Sequence, residues 1–464
     1  MIFSSILFLI VFLPAVLLLY FLVPDKVKNI ILLVFSLFFY AWGEPVYIVL
    51  MLFSISFNFV IGLEMEQRQG NAAMRKKSLI LAIVVNLLIL GFFKYSGFLV
   101  GNVNALLHVN IPFHELALPI GISFYTFQAM SYVIDVYYDR IGVQHSYLKF
   151  ALYISMFPQL IAGPIVRYID IEGQLDHRTI TWTSFGSGCA VFIKGLSKKV
   201  LLANNIGLLY NTIQPTLGAK TSIVTAWLCI ISYTFQIYFD FSGYSDMAIG
   251  LGRMFGFDFP ENFHFPYQAK SITDFWRRWH MSLSGWFREY VYIPLGGNRV
   301  HWARHIVNLL VVWSLTGLWH GASWNFLLWG MYYGILLIFE KYVLGSIYYG
   351  IPKVLQTMYS IFFVMIGWVL FSSTNLGDIS VFLRSLFGFH NNGFFDGTAA
   401  YLLKTNLVLL IACIVCSREQ MAKWFRRLQG RKPVAALALH TVLLILCIAF
   451  LLFDTYNPFL YFRF

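Results

Sequence analysis

Two histidines each directly follow a tryptophan in this largely apolar sequence. His320 lies in "TGLWHGASWNFLLWG", Thr316 to Gly330, with Gly317 and Gly321 on its approaches and indoles on either side. His280 closes a second Trp-His pair in "ITDFWRRWHMSLSGWFREY", directly after Trp279. An imidazole titrates near neutrality, so it can take a proton from a hydroxyl and return it to a leaving group. Apolar surroundings disfavour its charged form and keep it available as a base. Packing, metal ligation and catalysis are the roles open to these two residues.

Metal ligation has little support. His301 and His305 stand at i and i+4 but lack a nearby third ligand, and no metal site is expected. Cys413 and Cys416 form the only close cysteine pair, inside the apolar run "LVLLIACIVC", and read as small buried hydrophobes. The other nine histidines, among them His108, His264, His390 and His440, read as non-catalytic. "PLGGNR" follows no strand and matches neither GxGxxG nor GxxxxGK[ST], so no nucleotide loop is expected. Around His280, Trp276, Trp279 and Trp286 lie on a charged amphipathic segment with Arg277, Arg278 and Arg288. That pattern fits an interfacial helix, its aromatics at headgroup depth and its arginines toward phosphate. The same arginines suit an anionic donor such as a phosphorylated cofactor.

The elements that must hold these residues belong to a membrane. Of 464 residues, 59% are hydrophobic and 12% charged, against about 25% charged in a soluble domain. Most apolar surface is therefore meant for lipid. The net charge of +12 follows the positive-inside tendency and implies no nucleic acid partner. Apolar runs continue from end to end without a linker, so a single membrane domain over 1–464 is expected. The first run, Ile2 to Val23, reads as a retained first helix.

Basic clusters mark the cytoplasmic side: Lys26 and Lys28; Arg68 with Arg75, Lys76 and Lys77; Lys194, Lys198 and Lys199; Arg277 to Arg304; and Arg418 through Lys432. Later spans are expected at Leu79 to Phe93, Tyr147 to Ile161, Val224 to Tyr238, Val354 to Leu370, Leu402 to Cys416 and Val434 to Leu452. The expectation is about ten to twelve crossings with the N-terminus outside, plus re-entrant and interfacial helices.

Three runs mix Gly, Pro and charge into apolar sequence: "LPIGISFYTFQAMSYVIDVYY", "FPQLIAGPIVRY" and "YFDFSGYSDMAIGLGRMFGFDFPENF". Non-helical backbone at membrane depth survives only where protein buries it or water reaches it. Asp135, Asp240 and Asp246 in such runs are expected to pair with buried Arg, Tyr or Trp groups. Between Arg304 and Lys341 lie roughly 36 residues, too many for one straight crossing of a ~30 Å core and flanked by bases at both ends. Both ends on one side require a hairpin whose turn falls near "GLWHGAS". His320 then sits at its apex.

The stretch "FDFSGYSDMAIGLGRMFGFDFPENFHFPYQAKSITDFWRRWHMSLSGWFREYVYIPLGGNR", followed by "TGLWHGASWNFLLWGMYYG", resembles the membrane-bound O-acyltransferase (MBOAT) superfamily. Within it the nearest likeness is to the bacterial alginate O-acetylase and peptidoglycan O-acetyltransferase A branch. The likeness extends to "LPIGISFYTFQAMSYVIDVYY", "FPQLIAGPIVRY" and the final "NPFLYFRF", with the core motifs within 115–345. "YIPLGGNR" favours this branch over the similar D-alanine transferase of teichoic acid. The resemblance implies an all-α polytopic MBOAT fold in a bacterial cytoplasmic membrane, and transfer of acetyl groups across it. Cytoplasmic acetyl-CoA would be the donor substrate, with no permanently bound cofactor. A secreted or anchored SGNH-type partner, or an extracytoplasmic glycan, would receive the group. His320 corresponds to the family's WHG histidine and His280 to its RWH histidine, with Arg277, Arg278, Trp279 and Trp319 expected on the donor's side. His320 would be reached from both faces, past the irregular backbone around Gly121, Gly163 and Gly243. A transporter and a non-catalytic export scaffold are the rival classes. Transporters often carry two related halves, and "GLWHGAS" has no second copy.

Overall fold

The computed structural model describes the chain except for residues 115, 162, 391–392, 454–459 and 461–464. All of the final "NPFLYFRF" except Leu460 therefore lies outside the described residues. Among the described residues every regular element is a helix, the form that satisfies its own backbone groups without water. Eight helices are long and apolar enough to cross a bilayer, and Phe8–Leu22 is a shorter apolar helix. Leu88, Val408 and Leu437 are among the many large apolar side chains exposed on these helices, as lipid contact requires. The Glu419–Arg431 helix joins two of the candidate spans and buries no side chain.

Three expectations change. Tyr147 to Ile161 is not one span but two helices, Tyr147–Ser155 and Phe157–Leu160. Pro158 would clash with the carbonyl four residues earlier in a continuous helix, so the first helix stops and Pro158 opens the next. Ser36 Oγ accepts the Phe157 N–H at 3.1 Å, which satisfies a backbone donor at the break. The run through Gly243 is the second correction. Its part up to Met254 belongs to an unbroken helix, Ile223–Met254, while residues 257–263 are irregular as expected, and the helical glycines serve close approach. A Cβ on Gly243 would sit 2.7 Å from the Gly195 carbonyl oxygen, and one on Gly250 2.6 Å from the Phe192 nitrogen. The third concerns the aromatic segment around His280, taken up below.

The chain divides into two compact units, Met1–Phe192 with Met247–Pro260, and Ile193–Asp246 with Glu261–Phe464. In the first, Asn58 and Asn86 exchange amide hydrogen bonds of 3.2 and 2.8 Å between the Ile48–Gln67 and Ala72–Leu107 helices. Polar side chains join helices in this way where apolar packing has no water to escape. The Ile122–Tyr137 helix starts after Gly121, whose φ is +75°. A Cβ there would lie 2.7 Å from the Leu160 carbonyl oxygen, so only glycine lets the two irregular runs cross. Asp135 pairs with Arg140 at 3.1 Å.

In the second unit the buried Asp240 and the half-buried Asp246 find lysines. Asp240 meets Lys199 at 2.6 Å, and Asp246 meets Lys194 and Lys198 at 3.1 and 2.8 Å. The expected hairpin is there as well, with helices Trp302–His320 and Trp324–Phe339 joined through Gly321 to Ser323. Its two helices meet backbone to backbone. A Cβ on Gly317 would collide with the Phe326 carbonyl, and one on Gly330 with the Trp313 carbonyl.

Because carbonyls of a packed helix cannot yield as side chains do, Gly330→Ala should cost at least about 1–3 kcal/mol. Thermal unfolding in detergent should show a clear fall in Tm. Gly430, in the exposed Glu419–Arg431 helix, has nothing within 4 Å of such a Cβ. Gly430→Ala should leave Tm unchanged or raise it.

Candidate active site

His320 is the last residue of the first hairpin helix. The chain turns away at Gly321, so the imidazole stands at the apex rather than along a helix face. Three rings meet it edge-on: Trp319 at 5.0 Å, Trp329 at 5.0 Å and Phe371 at 5.3 Å between centroids, all within ten degrees of perpendicular. Such T-shaped contacts set positive ring edges against π faces. Trp329 comes from the returning hairpin helix and Phe371 from the Lys353–Ser372 helix. The ring is 4% exposed.

His280 precedes the short Met281–Phe287 helix, with φ 45° and ψ 53°. A non-glycine residue in this left-handed region is strained and is held there by its surroundings. Its ring packs edge-on to Phe241 at 4.7 Å and faces Trp319 at 6.0 Å. Trp319 is thus the wall shared by both histidines. A second aromatic path runs from Trp279 to Trp368 at 4.9 Å, and from Trp368 to Phe371 at 5.7 Å. His280 Nδ1 lies 3.1 Å from Asn262 Oδ1. Burial pushes the His280 imidazole down to about 3, so the ring is neutral near neutral pH.

The indoles expected at headgroup depth are instead inside the protein. Trp276, Trp279 and Trp286 are all buried. Trp276 packs on Trp313, Trp329 and Tyr333, which ties the segment before His280 to the hairpin that carries His320. Trp279 and Trp319 belong to the aromatic frame. Arg277 is exposed. Arg278 is half-buried and committed: its Nε donates to Asp274 at 2.8 Å and its Nη1 to the His264 carbonyl at 3.5 Å. His305 sits between two phenols, with Nε2 2.9 Å from Tyr292 Oη and Nδ1 2.8 Å from Tyr342 Oη. Among the described residues no group of three or more His, Cys, Asp or Glu is placed to hold a metal.

Two positioning groups escaped the sequence reading. Glu340, at the end of the returning hairpin helix, accepts the Ile272 N–H at 2.5 Å and the Thr273 N–H at 3.0 Å. It also accepts the Thr273 hydroxyl at 2.8 Å. With Ser271 Oγ taking the Asp274 N–H, the first turn of Ile272–Trp276 is fully capped. One carboxylate therefore ties the two Trp-His segments together. The other is Asn262, in the loop "PENF". A lone acid closing an apolar run and a lone amide in an aromatic loop were the available signals.

Residues 46–377 match the family model of MBOAT, the membrane-bound O-acyltransferase family. A probable alginate O-acetylase of Pseudomonas aeruginosa is 41% identical over 453 residues, covering 94% of this chain and 85% of that protein. A peptidoglycan O-acetyltransferase of Helicobacter pylori is 36% identical over 423 residues, covering 84% and 80%. A teichoic acid D-alanyltransferase of Bacillus subtilis is 27% identical over 283 residues, covering 56% and 70%.

Glu340→Ala leaves the Ile272 and Thr273 donors without their acceptor, and loss of a cap costs about 1–2 kcal/mol. The expected outcome is a lower Tm, with Trp276 and Trp279 fluorescence shifted as the segment loosens. His280 binds no proton in the folded state until about pH 3, whereas an unfolded histidine does so near 6.5. The unfolded chain therefore binds more protons between those values, and the His280 contribution to stability falls as pH drops through that window. Replacing His280 by Gln should remove this part of the acid dependence of Tm.

Proposed function

The chain belongs to the membrane-bound O-acyltransferase family, an enzyme with many apolar helices of spanning length, and we propose that it moves acetyl groups from cytoplasmic acetyl-CoA to the hydroxyl of an extracytoplasmic glycan. The observation that carries this reading is His320 at the hairpin apex, held by three rings, with His280 on the far side of Trp319. The names of the relatives support an acetyl group and a glycan acceptor. The proposed setting is a bacterial cytoplasmic membrane, with a path to His320 from each face and an SGNH-type partner as the outward recipient.

In this reading the acceptor oxygen attacks the thioester carbonyl carbon while His320 takes the hydroxyl proton. The new C–O bond forms, the C–S bond breaks, and the departing thiolate takes the proton back from His320. The aromatic frame excludes water, which would otherwise hydrolyse the thioester. Arg277, exposed beside the site segment, meets the phosphates of the donor. Arg278 contributes through Asp274 and the His264 carbonyl, holding the turn that leads into Trp279 and His280.

Purified protein in detergent, given labelled acetyl-CoA and a soluble glycan or partner acceptor, tests the reading. His320→Ala should lower transfer by about 10²–10⁴-fold with Tm close to that of the parent. Normal transfer by the folded variant would falsify the assignment. Transfer of D-alanyl but not acetyl groups would move the chain to the teichoic acid branch of the family. Arg277→Gln should raise KM for acetyl-CoA with kcat little changed, whereas Arg278→Gln should also lower Tm because Asp274 loses its partner.

A further inference from the structure

We infer that Asn262 is the positioning residue that sets the tautomer of His280, placing the proton on Nδ1 and leaving Nε2 as a hydrogen-bond acceptor. The inference rests on the reading of His280 as part of the acyl-transfer site. It goes beyond that reading by assigning which nitrogen faces chemistry and which group of a substrate it can receive.

Asn262 is buried, and residues 280–282 wrap around it. Its backbone carbonyl accepts the Met281 N–H at 3.0 Å. Its side-chain Oδ1 accepts the Ser282 N–H at 3.2 Å and the Ser282 hydroxyl at 2.9 Å. The same oxygen lies 3.1 Å from His280 Nδ1. An amide oxygen and nitrogen are assigned from their partners, and here the partner decides. A backbone N–H can only donate, so the amide atom facing Ser282 N must be the oxygen. His280 Nδ1 faces that same oxygen and must therefore carry a hydrogen.

The ring is 1% exposed, and burial of this kind keeps an imidazole neutral. A neutral ring has one N–H. With it spent on Asn262, Nε2 carries a lone pair, which suits an O–H or N–H donor and not a carbonyl oxygen. His280 thus reads a donor group: the acceptor hydroxyl or an amide N–H of the pantetheine arm, not the thioester carbonyl.

The choice of an amide matters. A carboxylate at 262 would accept the same three donors but would add a negative charge beside the ring. That favours the imidazolium form, which has no lone pair on Nε2. Asn262 orients the ring without charging it. The strained backbone of His280 fits the same account, because the four hydrogen bonds to Asn262 hold residues 280–282 in a turn that a histidine seldom adopts.

Protein labelled with ¹⁵N-histidine and assigned by comparison with His280→Gln reports the tautomer directly through the shifts of the two ring nitrogens. The parent protein should show a protonated Nδ1 and an unprotonated Nε2 for His280 at neutral pH; the reverse pattern overturns the inference. Asn262→Ala should mix the tautomers or invert them, and Asn262→Asp, which keeps every acceptor contact, should convert the ring toward imidazolium. An Asn262→Ala ring still held wholly in the Nδ1–H form also overturns it. Turnover should fall by about tenfold or more in both variants. A changed tautomer with unchanged turnover supports Asn262 as the orienting group and instead removes His280 from the chemistry.

Discussion

Where Gly317 and Gly330 meet, two helices touch backbone to backbone, and the position of His320 depends on that contact. In lipid the apolar effect does not draw helices together, so close van der Waals approach through small residues takes its place. The glycines bring the hairpin helices together just below the turn. Gly334 continues the seam, where a Cβ would be 3.3 Å from Trp313 Cβ. With the seam closed, His320 is the last helical residue of one arm while Trp329 rises from the other to meet it. The place of His320 is thus set by residues without side chains.

Around that seam, polar groups have no water to fall back on, and fixed partners replace it. Asn325, at the start of the returning helix, donates to the Ser373 carbonyl at 2.8 Å, and Ser323 Oγ donates to Asn325 Oδ1. Glu340 closes the far end of the same arm against Ile272 and Thr273. The returning arm is therefore pinned at both ends to segments that carry other parts of the site. Breaking such a half-buried cap leaves its donors unsatisfied, which makes these contacts organisers of the site as well as sources of stability.

Charge pattern and length made the hairpin legible, because Arg304 and Lys341 flank a run too long to cross once and too apolar to leave the membrane. The two Trp-His pairs drew attention in the sequence, and the structure brings both imidazoles against the one indole of Trp319. Other features were hidden by sequence distance. Asn262 is 18 residues from His280, Glu340 is 68 residues from Ile272, and Phe371 lies in another helix altogether. The indoles of the His280 segment misled for a physical reason: Trp beside Arg has the same periodicity whether it faces headgroups or other rings. Glycines in the Ile223–Met254 helix misled likewise, since a glycine permits either a bend or a close crossing. Only the neighbour decides, and for Gly243 the neighbour is the Gly195 carbonyl.

The site holds its polar chemistry in a form that carries little charge. The rings about His320 are neutral, and the group orienting His280 is an amide rather than a carboxylate. Elsewhere in this unit Lys199 pairs with Asp240 and Lys198 with Asp246. In the proposed reaction the acetyl group is itself neutral, whereas acetyl-CoA, the proposed donor, is strongly anionic. A site rich in cations would retain the donor's phosphates; one lined by neutral rings admits the acyl end and leaves the charge behind. The exposed guanidinium of Arg277, one residue after the buried Trp276 and three before the buried His280, suits the proposed division between an anionic end kept at a polar surface and an uncharged end carried inward.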